Sequence, residues 1–287
     1  MYRNRILRWE SLPEKNINSF IKLEKKMKFF YESPTVRKSY EKICINARNS
    51  QPKIVDGLEK ILKTYKGKKI LEIGCGSGWL INKFIFNEIV RQEDYTGIDL
   101  EYEQIELNKL KNPNSTYVKC SSDSLPFEND SYDLIFSYFV LEHCVYPEKV
   151  LNEQKRVLKP GGLMVIICPD FYELGLLPSQ WTGIKKGNLK KHLSDKNYLA
   201  FIYQFIDARI RIPLWLFIKM IMKGKFLINL NPQCLFLDDF DSPDLDAVYL
   251  SSKREIFAWG FKQTGKCFCP YGTNGAFKSV AFVTIQK

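Results

Sequence analysis

The chain has 287 residues, 45% of them hydrophobic and 26% charged, a balance that excludes a disordered or fibrous protein and suits one sizeable α/β domain with insertions. Its net charge of +11 is unevenly placed: residues 1–69 carry 18 basic against 7 acidic side chains, 70–170 carry 9 against 16, 171–235 carry 10 against 3, and 236–287 carry 6 of each. An acidic centre between basic flanks leaves two readings of the flanks, ordinary solvated helix faces or a surface for an anionic partner.

Residues 10–33 place Phe20, Leu23, Met27 and Phe30 or Tyr31 at helical spacing with lysines between, which predicts an amphipathic helix. Further helices fit 35–47 and 52–65, the latter with Pro52 in its first turn. Ile70–Ile73 read as a short buried strand, Gly74, Cys75, Gly76, Ser77 and Gly78 as a glycine-rich turn, and residues 78–90 as a helix. Strand, glycine turn and helix bring backbone close to a nucleotide-like ligand. The spacing here is G-x-G-x-G, without the Lys of a phosphate loop, so it favours a ligand with a nucleoside and no phosphate. Strands near 95–99, 115–119, 132–138 and 162–168 alternate with helices near 102–111 and 146–158, as a parallel sheet with right-handed crossovers requires. Pro160-Gly161-Gly162 reads as the turn between the last of these helices and the last strand.

Residues 170–235 interrupt the alternation with aromatic and basic residues, among them Trp181, Tyr198, Tyr203 and Trp215, and a helix is expected from Pro213 to about Met222. An insertion after the fifth strand hangs over the carboxyl ends of the strands, so it is expected to wall or cover the site. The alternative is an interfacial helix over 210–227 at a membrane surface. Residues 238–246 read as a solvated acidic loop. A final helix fits 251–264, with Ser251 or Ser252 as N-cap and Gly265 at its end, followed by strands at 266–270 and 279–286.

The eight cysteines include Cys75, Cys120 and Cys168 in or beside predicted strands, which suits reduced thiols. Cys267 and Cys269 are not at zinc spacing, and His143 and His192 are the only imidazoles, so no metal site is expected. The first ten residues lack an apolar signal core, and no run of about 18 apolar residues occurs. A cytoplasmic location is expected, with peripheral contact at the inner membrane face as the variant reading.

Glu72-Ile-Gly-Cys-Gly-Ser-Gly78 resembles the first motif of the class I S-adenosylmethionine (SAM)-dependent methyltransferases. Four further segments resemble the same family in the same order: Tyr95–Asp99, Leu125-Pro126-Phe127 with Ser131–Ser137, Leu141-Glu142-His143, and Val157–Gly162. The resemblance implies a doubly wound, seven-stranded Rossmann-like sheet with N-terminal helices and a helical insertion after the fifth strand. It divides the chain into an N-terminal helical segment or lid (1–66), a SAM-binding core (67–170), an acceptor-side insertion (171–235) and the rest of the core (236–287). SAM is the implied cofactor. The resemblance puts Glu72 near its methionine amino end, Gly74, Cys75, Gly76 and Gly78 beneath it, Asp99 on the ribose and Leu100 on the adenine. The family's adenine-binding acid falls at Ser121 here, with Ser122 and Asp123 beside it and Asp123 as the substitute. Ser137 and Tyr138 are expected near the transferred methyl.

A hydroxyl acceptor must lose its proton, and His143 is the best candidate base, with Glu142 orienting it; Tyr138, Tyr172 and His192 are weaker candidates. The reading is a methyltransferase acting at oxygen on a small molecule or glycan, in bacterial surface-glycan or secondary metabolism. An RNA methyltransferase using the basic flanks and a non-catalytic SAM-binding protein are the alternatives. Nucleic acid is not expected as the partner, and the oligomeric state is open.

Overall fold

In a computed structural model of the protein, the residues described are 9–11, 17–33, 52–174, 189–206, 209–210, 214, 218, 226–230, 232, 246–272 and 277–287. The predicted helix at 35–47, the acidic residues 238–245, Trp181, Trp215 and most of the helix expected from Pro213 lie outside them.

The elements run β1 (Trp9–Ser11), α1 (Ile17–Tyr31), α2 (Pro52–Thr64), β2 (Ile70–Ile73), α3 (Trp79–Phe86), β3 (Tyr95–Asp99), α4 (Tyr102–Lys111), β4 (Thr116–Lys119) and β5 (Tyr132–Tyr138). They continue with α5 (Pro147–Val157), β6 (Leu158–Pro169), α6 (Phe171–Leu174), α7 (Leu189–Ser194), α8 (Tyr198–Ile206), β7 (Leu227–Asn229), α9 (Lys253–Thr264), β8 (Cys267–Phe268) and β9 (Val280–Gln286). Seven strands form one sheet in the order β4-β3-β2-β5-β6-β9-β8, with β9 antiparallel to both neighbours and β2 to β6 parallel. The order reverses beside β2, so the crevice outside the carboxyl ends of β2 and β5 is the place where such a sheet binds its ligand.

The sheet is covered on both faces, which is why its central strands read as continuous apolar runs. Leu71 and Ile73 pack into one cluster with Phe20, Leu23, Met27 and Phe30 of α1, Val150 and Leu151 of α5 and Trp259 of α9. Ile70 packs into the other with Leu58 and Leu62 of α2 and Trp79, Leu80 and Phe84 of α3. Each fully buried side chain of this size contributes about 1.5–3 kcal/mol.

Two expectations need correction. Residues 10–33 are not one helix. Trp9–Ser11 form a strand antiparallel to β7, with Glu10 opposite Ile228, and Pro13 between the two elements has no amide proton for a helix interior. The Pro160-Gly161-Gly162 turn lies inside β6 as an irregularity, since the pairing jumps from Tyr132–Leu158 to Leu134–Leu163. Ser252 is the N-cap residue of α9 and Gly265 its C-cap, as expected, but the Ser252 side chain makes no cap hydrogen bond. Ser251 Oγ donates to Pro169 O at 2.5 Å, and Asp170 Oδ2 accepts the Lys253 amide at 3.4 Å instead.

Candidate active site

Four loops leave the carboxyl ends of β2, β3, β4 and β5 and pack on one another. The first is the glycine turn. Cys75 N donates to Ile98 O at 2.9 Å and Gly76 N to Asp99 Oδ2 at 2.8 Å, while Asn108 of α4 donates to Gly76 O at 2.7 Å. The turn is thus tied to β3 and α4 along one side. Gly74 has φ +70, and a Cβ there would stand 2.5 Å from Val140 Cγ2. Gly76 has φ +47, and no described atom lies within 4 Å of where its Cβ would point. One glycine is demanded by close packing, the other borders open space of the kind a ligand fills. Gly78 ends the turn as the N-cap of α3. The Cys75 thiol is buried in the core beneath it, and burial pushes its ionisation far up, so it is no nucleophile.

Asp99 ends β3. Its carboxylate accepts the amides of Gly76 and, at 3.0 Å, Glu101, and its pKa is raised because burial outweighs those bonds. Leu100 follows it, half-buried. On the neighbouring strand β2, Glu72 is buried, and Tyr95 OH donates to Glu72 Oε2 at 2.5 Å. Burial raises the Glu72 pKa to about 8; the tyrosine bond opposes the shift and the Asp99 charge adds to it.

After β4, Ser121 Oγ donates to Asp123 Oδ1 at 2.5 Å, and Lys149 Nζ stands 3.1 Å from Asp123 Oδ2. Ser122 Oγ lies 3.7 Å from Cys144 Sγ, which joins this loop to the one after β5. Ser137 is buried near the end of β5, and Tyr138 sets its ring edge-on to Trp79 and Phe139. Phe139 holds φ +55, a left-handed conformation uncommon outside glycine. Val140 then reaches Gly74, and Leu141–His143 make one 3-10 turn.

That turn is pinned from outside: Val248 N and Tyr249 N both donate to Glu142 O at 2.8 Å. The same segment brings Asp246. His143 Nδ1 lies 3.4 Å from Asp246 Oδ2 and His143 Nε2 lies 3.9 Å from Glu142 Oε1. Tyr31, the last residue of α1, donates its hydroxyl to Asp246 Oδ2 at 2.5 Å and presents its ring edge-on to His143.

The structure therefore brings together Gly74, Cys75, Gly76, Asp99, Ser121, Ser122, Asp123, Ser137, Tyr138, Glu142 and His143 on one rim, with Glu72 and Tyr95 beneath. His192 is buried on α7, and Tyr198 and Tyr203 are exposed on α8. Sequence reading missed Tyr31 and Asp246. Asp246 was expected in a solvated loop and is buried, because Tyr31 and His143 cover it; its one signal was its place before the apolar Ala247–Leu250.

Residues 71–166 match the family described as a methyltransferase domain. The chain is 33% identical to an uncharacterised protein of Methanocaldococcus jannaschii, covering 58% of this chain and 59% of that one. It is 27% identical to a ubiquinone/menaquinone biosynthesis C-methyltransferase of Campylobacter jejuni, over 42% of this chain and 59% of the relative. It is 33% identical to a phthiotriol/phenolphthiotriol dimycocerosates methyltransferase of Mycobacterium ulcerans, over 49% of this chain and 51% of the relative. The chain thus spans little more than half the length of these relatives. The open space at Gly76 and the acceptor carboxylate of Asp99 beside it fit the cofactor such domains use. Residues 71–166, a third of the chain, match a methyltransferase domain, and SAM is the cofactor that this match implies.

Proposed function

We propose that this protein transfers a methyl group from SAM to the oxygen of a hydroxylated small-molecule or glycan acceptor. The observation that carries the acceptor atom is His143, three residues after the Val140 that packs on Gly74, with a carboxylate facing each ring nitrogen. Bound SAM supplies an electrophilic sulfonium methyl. In this reading Asp99 accepts hydrogen bonds from the ribose hydroxyls, a task for which a carboxylate has spare lone pairs. The glycine turn lets backbone pass under the ligand, and Leu100 covers its base with Ser121, Ser122 and Asp123. Ser137 and Tyr138 border the transferred methyl. His143 takes the acceptor's proton, and Glu142 steadies the charge that forms on the ring. Alignment of the acceptor with the breaking bond supplies much of the acceleration. Residues 67–170 hold SAM, 1–66 cover the rim, and 171–235 wall the acceptor.

The relatives named above carry two different acceptors in their names, so the acceptor class rests on this site alone. Incubation of the protein and radiolabelled SAM with bacterial extract tests it. Label is expected in small-molecule or glycan fractions and to survive nuclease. Label removed by nuclease would favour the RNA reading, and no label with SAM bound would favour a non-catalytic binder.

One observation supports a peripheral membrane contact as well. On α8 Leu199 is 71% and Tyr203 68% exposed, and the surrounding segment 171–235 carries 10 basic against 3 acidic side chains. Apolar side chains among lysines suit the headgroup region of an anionic bilayer. Sedimentation with phosphatidylglycerol vesicles is expected to carry the protein down, less so in high salt and for Leu199→Glu; equal sedimentation with neutral vesicles would contradict it.

A further inference from the structure

Asn108 breaks two rules of ordinary helix building. Asparagine is a poor helix former, yet Asn108 stands inside α4. It is fully buried, and its Oδ1 has no hydrogen-bond partner among the described residues, although a buried amide oxygen left unpaired is costly. What it does make is a bond to the glycine turn. Nδ2 donates to Gly76 O at 2.7 Å, with Cys75 Sγ 3.9 Å from the same nitrogen. A carbonyl can only accept, so this bond fixes which end of the amide faces the turn. Oδ1 then lies against Gly78, where a Cβ would stand 2.6 Å from it. The last glycine of the turn therefore makes room for Asn108.

Gly76 is held through both of its peptide groups, its amide by Asp99 Oδ2 at 2.8 Å and its carbonyl by Asn108. It has φ +47 and borders open space, and a glycine has more backbone freedom to lose than any other residue. The two bonds decide which way its peptide planes face. We propose that Asn108 is a positioning residue for SAM: it turns the Gly76 carbonyl towards α4 and so keeps the glycine turn in its binding shape before the cofactor arrives. The inference rests on the reading of the glycine turn as the seat of SAM. Asn108 acts from beneath the turn, through Gly76. Without it, fewer chains hold the turn ready, and the apparent affinity falls by that fraction.

A second buried asparagine on the same helix supplies the control. Asn112 Nδ2 donates to Asn82 Oδ1 at 2.7 Å and to Tyr117 OH at 3.1 Å, bonds that join α4 to α3 and β4 and do not reach the turn. Leucine has the branched shape of asparagine and no polar atom. Calorimetric titration of the whole chain with SAM compares Asn108→Leu with Asn112→Leu, each well below its own melting transition. Both are expected to melt at a lower temperature than wild type. Only Asn108→Leu is expected to weaken SAM, by about tenfold or more, with Asn112→Leu within about twofold of wild type. A folded Asn108→Leu protein that binds SAM as wild type does overturns the proposal. So does equal weakening in Asn112→Leu, which would make the loss a general loosening of α4. If Asn108→Leu does not fold, Asn108→Ala decides by the same criterion. The reading beneath it fails separately: undiminished SAM affinity in Gly76→Ala would move the cofactor off the turn, whereas a weakened Gly76→Ala beside an unaffected Asn108→Leu sinks the positioning role alone.

Discussion

Two glycines two residues apart should fail in different ways. Gly74→Ala forces a Cβ to 2.5 Å from Val140 at a left-handed φ, so it should lower stability by roughly 2–5 kcal/mol, read by urea unfolding. Gly76→Ala meets no described atom and should cost only about 1–2 kcal/mol of backbone strain. Its methyl group would instead intrude on the ligand, and SAM affinity should fall by about tenfold or more in calorimetry. Equal SAM affinity for wild type and Gly76→Ala would move the cofactor elsewhere. Asp99→Ala removes an acceptor already aligned by the Gly76 and Glu101 amides. It should weaken SAM by about 1.5–3 kcal/mol, and an unchanged affinity would free Asp99 of the ribose.

At the scale of elements, α1 links core to site. Phe20 is fully buried and stacks on Tyr146, Lys26 Nζ donates to Pro232 O at 2.7 Å, and Tyr31 ends the helix on Asp246. Phe20→Ala should cost about 3–5 kcal/mol in chemical denaturation. The strands β2, β5, β6 and β9 were legible because each carries a local apolar run, and β3 because it ends in a motif acid. The β1–β7 pair was not. Three residues, Trp9–Ser11, carry no alternation of their own, and their partner lies over two hundred residues away. The same physics hid the outer part of the site. Gly74, Gly76 and Asp99 announce themselves by local spacing, whereas Asp246 is recognisable only once the fold brings Tyr31 and His143 to it. Its acidic neighbours in sequence suggested solvent.

Across the whole molecule, buried carboxyls set the response to pH. Burial raises Glu72 to about 8, Glu255 to about 7 and Asp170 to about 6. Each holds a proton in the folded state that the unfolded chain releases at ordinary carboxyl values. Their contribution is therefore full below those values and is lost as pH rises through about 6 to 8. Asp133, where burial is outweighed by the bonds from Lys159 and the Lys69 amide, and Glu153, lowered by Arg156, act in the opposite sense and lose their contribution in acid. Stability should peak on the acid side of neutrality and decline towards pH 8. Glu72→Gln, which copies the neutral form, should flatten that decline in thermal melts; an unchanged slope would show that Glu72 ionises freely in the fold.

Calorimetric titration of the intact protein with SAM tests the central claim most directly, because the glycine turn, Asp99 and the convergence of four loops have no other common purpose. The account predicts a single saturable site of one SAM per chain, weakened in Asp99→Ala, with a matching rise in melting temperature. No heat and no thermal shift at saturating SAM, from protein shown to be folded, would contradict it.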